Sequence, residues 1–154
     1  EKAELEWSDG QKIDQKHLQK SIKHLVKSSA RLHNSDDCKF SLINGYPITC
    51  ASNWGGEMNP SITGNPAIIL NKRVTNWGHQ MSCLGWAEHP EFGDIFWIQN
   101  SWGHSHGTSP GHYQEPPGGF WVKAKEMDWI CKTGEVFSLS NFAGFPAQKL
   151  DWFI

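Results

Sequence analysis

The strongest constraint on what this chain can fold into lies in its second half. Four short apolar runs follow one another there, at 79–86, 94–99, 119–124 and 135–139. Each has strand length, and turn-favouring residues separate them, as from His89-Pro90 to Gly93-Asp94 between the first pair. A short helix is predicted over 125–131, stopped near Gly134. This succession asks for a sheet-dominated α+β unit with helices near its beginning. The 154 residues are ample for one such domain and thin for two, and no internal linker or repeat divides them. With 38% apolar residues the chain can build a sizeable core, which excludes disordered and fibrous classes.

The first half holds the clearest helical periodicity. Leu18, Ile22, Leu25, Ser29 and Leu32 recur at helical spacing with Val26 beside them. Lys16, Lys20, Lys23, Lys27 and Arg31 form a roughly opposite stripe. An amphipathic helix over 14–32 is predicted, its Leu/Ile side packed and its Lys side in water. The same pattern would also suit a partner helix or an acidic surface. Residues 1–13 are polar and read as an arriving segment. Ser35 or Asp36 can cap a second, short helix through Phe40 and Leu42, which Asn44-Gly45 stops. Pro47 then leads into a strand over 48–51. Residues 53–66 form a turn-rich loop, and the apolar group 67–70 is too short to type.

The formal net charge of -2 offers no electrostatic reason to expect nucleic acid. No apolar run approaches the length of a membrane span. The four Cys, spaced 12, 33 and 48 residues apart, form no CxxC framework. They fit reduced core thiols or at most two bridges, and leave the redox compartment open. Nine Trp is an abnormal number; their scatter through strands and loops favours packing over carbohydrate stacking.

His79 opens the first apolar run of the second half, and Asn100 follows the second. If these runs are antiparallel neighbours joined through 87–93, their far ends face each other and His79 and Asn100 share a sheet end. That juxtaposition has a chemical use. A nucleophilic thiol needs an imidazole to hold its proton. The imidazole needs an orienting acceptor, which an Asn amide oxygen supplies without a second full charge.

The motifs around this pair resemble the C-terminal half of the papain-like cysteine peptidases. Asn44-Gly45-Tyr46-Pro47-Ile48, Gly78-His79, Asn100-Ser101-Trp102-Gly103 and Gly118-Gly119-Phe120-Trp121-Val122 follow in that family's order, over about 20–125 and onward to 139. The resemblance implies an antiparallel, barrel-like half-domain over 14–154, with the amphipathic helix at its start. It implies peptide or protein substrates, cleaved through a thiolate–imidazolium pair without a cofactor. His79 would be the general base and later the acid, Asn100 its orienter, and Trp102 the cover that keeps water from their hydrogen bond. Ala51 and Gln80 fall where the family lines the pocket for the substrate side chain preceding the cleaved residue. Polar Gln80 stands where a small apolar residue is more usual. The family resemblance is compatible with a secreted or lysosome-like compartment, which the residues themselves do not assign.

The departures are equally informative. The family's nucleophilic Cys, and a Gln that helps form its oxyanion hole, lie farther upstream than the 78 residues that precede His79 here. Both are therefore expected upstream or in a companion chain. Cys50 and Cys83 fall inside predicted strands and read as small buried hydrophobes. Cys38 lies near a helix start, where a thiolate can be favoured, but no matching motif surrounds it, and Cys131 does not take the place either. The nucleophile is unassigned. A noncatalytic binding or structural module that kept this half and lost the nucleophile is the alternative. Residues 104–117 form a longer segment than the family's. His104, His106 and His112 there could ligate zinc, but no Cys or carboxylate completes a pattern, so a polar loop near the cleft is expected and no metal site.

Overall fold

The computed structural model describes residues 14–22, 25–54, 78–104 and 113–142. In chain order its elements are α1 (Gln15–Ser21), β1 (Val26–Arg31), α2 (Ser35–Ile43), β2 (Ile48–Asn53), β3 (Gly78–His89), β4 (Gly93–Gln99), β5 (Gly119–Lys123), α3 (Ala124–Thr133) and β6 (Glu135–Phe142). All strand pairs are antiparallel, in the order β1-β6-β2-β3-β4-β5. The strands predicted in the second half are present, each extended or trimmed by a few residues. So is the helix before Gly134.

Two expectations are corrected. The sheet is open: among the described residues β1 and β5 are its edges and no ladder joins them, so the barrel-like half-domain is not formed. Closure would require the first and last strands to pair with a matching stagger. Here β4 is buried on both faces without it, since Phe96 and Ile98 face one apolar cluster and Ile95 and Trp97 another.

The second correction concerns 14–32, where one helix was expected. Among the described residues of this stretch only α1 forms an α-helix, and it buries nothing; Leu18, with Ile22 and Leu25 beyond its end, is exposed, at 38%, 61% and 53% respectively. Residues 26–31 instead pair along β6, with Ser29 opposite Leu139 and Ala30 opposite Ser138. Val26 loses side-chain freedom in a helix, and Ser28 and Ser29 compete for its backbone groups. A ladder of interstrand bonds along β6 then outweighs a helix whose apolar side stays exposed among the described residues.

The second helix is capped one residue before Ser35, the nearer of the two predicted caps. Asn34 is the N-cap, its Oδ1 accepting from the Asp37 N–H at 2.8 Å, while Asp37 Oδ2 accepts from the His33 N–H at 2.8 Å. Asp128 of α3 accepts from the Ser35 N–H at 2.7 Å, so one helix also caps the other. At the far end Gly45 takes φ 76, which lets the chain turn from α2 into β2.

α2 and α3 cover one face of the central strands. Cys38, Met127, Ile130 and Cys131 from the helices meet Ile48, Cys50, Met81, Cys83, Phe96, Ile98 and Val136 from the sheet. On the opposite face Ile95, Trp97 and Trp121 form a smaller cluster with Tyr113 and Phe92. Lys39 of α2 reaches Asp94 at 2.9 Å and sits over the Trp86 ring, fastening the helix to the β3–β4 hairpin. Trp54, Trp97 and Trp121 are buried and Trp86 and Trp129 pack against the core, in keeping with a packing role; Trp7, Trp77 and Trp152 lie outside the described residues. Most of the 53–66 loop and all of 67–70 also lie outside them. Among the described residues no helix is long and apolar enough to cross a membrane.

Candidate active site

Antiparallel pairing of β3 with β4 sets Ser82 opposite Gln99, so the chain leaves β4 beside the start of β3. His79 is the second residue of β3, and Asn100 the first after β4. Their side chains meet: His79 Nε2 lies 3.0 Å from Asn100 Oδ1. The Trp102 ring stacks on the imidazole, with centroids 4.8 Å apart and planes 27° from parallel. The three residues are thus one cluster, half-buried at the sheet end.

The proton arrangement follows from the amide. The Ser101 backbone N–H donates to Asn100 Oδ1 at 2.7 Å, which identifies that atom as the acceptor. His79 Nε2–H must then be the donor in the second bond to the same oxygen. In the neutral ring the lone pair is on Nδ1, and in the imidazolium Nδ1 carries the second proton. A neutral amide accommodates both states, and the Trp102 ring covers one face of the imidazole in either. The ring is therefore oriented for proton transfer at Nδ1.

Several further residues hold this geometry. The Asn100 N–H donates to the Gly118 carbonyl at 3.2 Å. Gln99 Nε2 donates to the Pro117 and Asn100 carbonyls at 3.1 and 3.3 Å, and its Oε1 accepts from Trp97 Nε1 at 3.1 Å. Gly103 at φ 92 and Gly118 at φ 89 both need the left-handed region, and they pack on each other around the Asn-Ser-Trp-Gly turn. Behind them, buried Glu115 accepts from Trp121 Nε1 at 3.0 Å and from the Tyr113 N–H at 3.2 Å, tying 113–118 to the sheet. On the other side Trp54 Nε1 donates to the His79 carbonyl at 2.7 Å. Adjacency to Asn100 was the only sequence signal for Gln99; none existed for Trp54 or Glu115, whose partners depend on strand pairing.

Ala51 and Gln80 are opposite each other in the β2–β3 ladder, next to the Ser52–His79 pair. Strand alternation puts their side chains on the face away from His79. Gln80 Nε2 donates to Thr49 Oγ1 at 2.6 Å, beside a recess of about 260 Å³ that Thr49, Gln80, Ser82, Gln99, Asn100 and Ser101 help to line. Asn100 is thus shared between the His79 cluster and this recess.

The four cysteines are all buried in the core. The Cys38 thiol is pushed far above its ordinary range by its hydrogen bond with Cys131 and then by burial; Cys50 and Cys83 are pushed up chiefly by burial. Such thiols resist forming the thiolate a nucleophile requires. Of the loop histidines, His104 is exposed and His106 and His112 lie outside the described residues. Among the described residues no three metal-ligating side chains gather. Comparison of the chain with the profiles of known protein families and with characterised proteins finds no match to either.

Proposed function

We propose that this chain supplies the histidine–asparagine half of a papain-like cysteine peptidase site. The observation that carries the reading is the oriented triplet of His79, Asn100 and Trp102, with Nε2 committed to the amide and Nδ1 as the proton-transfer atom. A cysteine outside this chain's core, upstream or in a companion chain, is the nucleophile. Its thiolate attacks the carbonyl carbon of a peptide bond while His79 holds the proton on Nδ1. As the tetrahedral species collapses, that proton goes to the departing amine and an acyl-enzyme remains. His79 then takes a proton from water, which hydrolyses the thioester and frees the thiol. The recess beside Gln80 borders the substrate path through Asn100, which lines it, while the Ala51 and Gln80 side chains lie on the sheet face away from His79.

The burial of all four thiols favours a second reading, a noncatalytic module with the same pair and no nucleophile. A thiol-directed peptide electrophile separates the two. Under the peptidase reading it labels one cysteine of the natively purified protein, other than Cys38, Cys50, Cys83 and Cys131, and His79→Ala strongly reduces the labelling. No labelled cysteine in any co-purifying chain supports the module. Labelling that is indifferent to His79→Ala contradicts the thiolate–imidazolium pair.

A further inference from the structure

We propose that Cys38 and Cys131 are the two halves of a disulfide that fastens α2 to α3 when the chain folds in an oxidising environment. This inference is independent of the peptidase reading. Both residues are buried, and their Sγ atoms lie 3.5 Å apart although 93 positions separate them in the chain. A disulfide needs a sulfur–sulfur distance of about 2.05 Å, so the sulfurs must approach by roughly 1.5 Å, within reach of small side-chain rotations. The helices are already joined at the Ser35–Asp128 bond, so the link would lock an existing packing.

The other two cysteines cannot bridge to each other. Cys50 faces Met81 and Cys83 faces Ile48, so Cys50 and Cys83 are diagonal neighbours across the β2–β3 ladder. Diagonal positions on an antiparallel pair stand about 7–8 Å apart. A disulfide tolerates a Cβ separation of only about 3.5–4.5 Å. The backbone of two hydrogen-bonded strands cannot close that gap without breaking the ladder.

The chemistry requires a two-electron oxidant, and a low-molecular-weight disulfide such as oxidised glutathione is the class that serves. One cysteine thiolate attacks it, displacing one thiolate of the small disulfide and leaving a mixed disulfide on the protein. The second cysteine thiolate attacks the protein sulfur of that adduct and displaces the other. The two displaced thiolates take up the two cysteine protons, so one small disulfide is reduced to two thiols as the protein pair is oxidised. Burial withholds both sulfurs from reagents in the native state. Exchange therefore belongs to the folding chain, and the finished bond resists reduction until the core opens.

The test is to refold the full, reduced chain in a buffer of reduced and oxidised glutathione, then denature, alkylate and digest it without reduction. The expected product is an intact chain lighter by two hydrogens, one cross-linked peptide joining Cys38 to Cys131, and alkyl groups on Cys50 and Cys83. Its Tm should exceed that of the reduced chain by on the order of 10 °C, because the link closes a long loop. The double variant C50A/C83A should keep the cross-link and the shift, and Cys131→Ala should lose both. A Cys50–Cys83 link, glutathione retained on Cys38 or Cys131, four alkylated thiols, or an oxidised chain that melts no higher than the reduced one would each overturn the proposal.

Discussion

Gly118→Ala perturbs the His79–Asn100 pairing without altering either residue. Gly118 has φ 89, and its carbonyl accepts the Asn100 N–H at 3.2 Å. A Cβ at this position would lie 2.8 Å from the Gly103 carbonyl oxygen and 3.4 Å from Gln99 Nε2. The left-handed backbone alone costs an L residue about 1–2 kcal/mol. Moving a packed backbone carbonyl aside costs about 1–3 kcal/mol more. The expected loss is thus about 2–5 kcal/mol, a fall in Tm on the order of 10 °C for a chain of this size. Gly103 is itself in the left-handed region and adjoins Trp102, so the strain is relieved by shifting the turn off the imidazole. Urea unfolding measures the loss, and proton NMR reads the ring-current shift that Trp102 imposes on His79. Gly118→Asn should fall between, because Asn tolerates positive φ better but brings the same Cβ. If Gly118→Ala changes stability by less than about 0.5 kcal/mol and leaves the His79 resonances in place, the close packing of the turn is refuted.

Three further outcomes are expected. Nitrogen-15 NMR of neutral His79 should show the Nε2–H tautomer dominant, and Asn100→Ala should bring in the Nδ1–H form; a wild-type ring dominated by Nδ1–H would contradict the donor assignment. Glu115→Ala should cost about 1–3 kcal/mol in denaturant unfolding by leaving buried Trp121 Nε1 without its acceptor, and Glu115→Gln, which keeps an acceptor oxygen, should cost less. Because burial raises the Cys50 and Cys83 thiols above the ordinary 9.0, the reduced folded chain holds protons that the unfolded chain releases. Their contribution is complete below about pH 9 and is lost as pH rises above it, by about 1.4 kcal/mol per pH unit and thiol. Cys50→Ala should flatten that alkaline slope by about one thiol's share; an unchanged slope would show that Cys50 ionises alike in both states.

Much of the candidate site was legible because it is built at strand ends. A hairpin with a short turn dictates which ends meet, so Gly78-His79 and Asn100-Ser101 could be brought together from spacing alone. The same reasoning could not assign Gly118 or Trp54 as supports, since the Gly118 carbonyl and the Trp54 indole arrive from another loop or strand, and Gln99 was marked only by its place beside Asn100. It also misjudged 14–32. Leu18, Ile22 and Leu25 have helical spacing, yet among the described residues they stay exposed, and the backbone of 26–31 took its bonds from β6 instead.

By itself, then, the sequence determined the local elements of the second half, the stop at Gly45, and the order in which histidine and asparagine appear. These depend on neighbouring residues: turn formers, caps and apolar runs act within a few positions of themselves. Only the tertiary structure decided that the sheet stays open, that β1 is a strand, and that Cys38 meets Cys131 beneath it. Each of those outcomes depends on a partner far away in the chain. β6 must return to lie between β1 and β2, and α3 must pack against α2, before those bonds and contacts exist. Backbone hydrogen bonds and burial are satisfied by whatever surface folding brings near, and local periodicity carries no record of it.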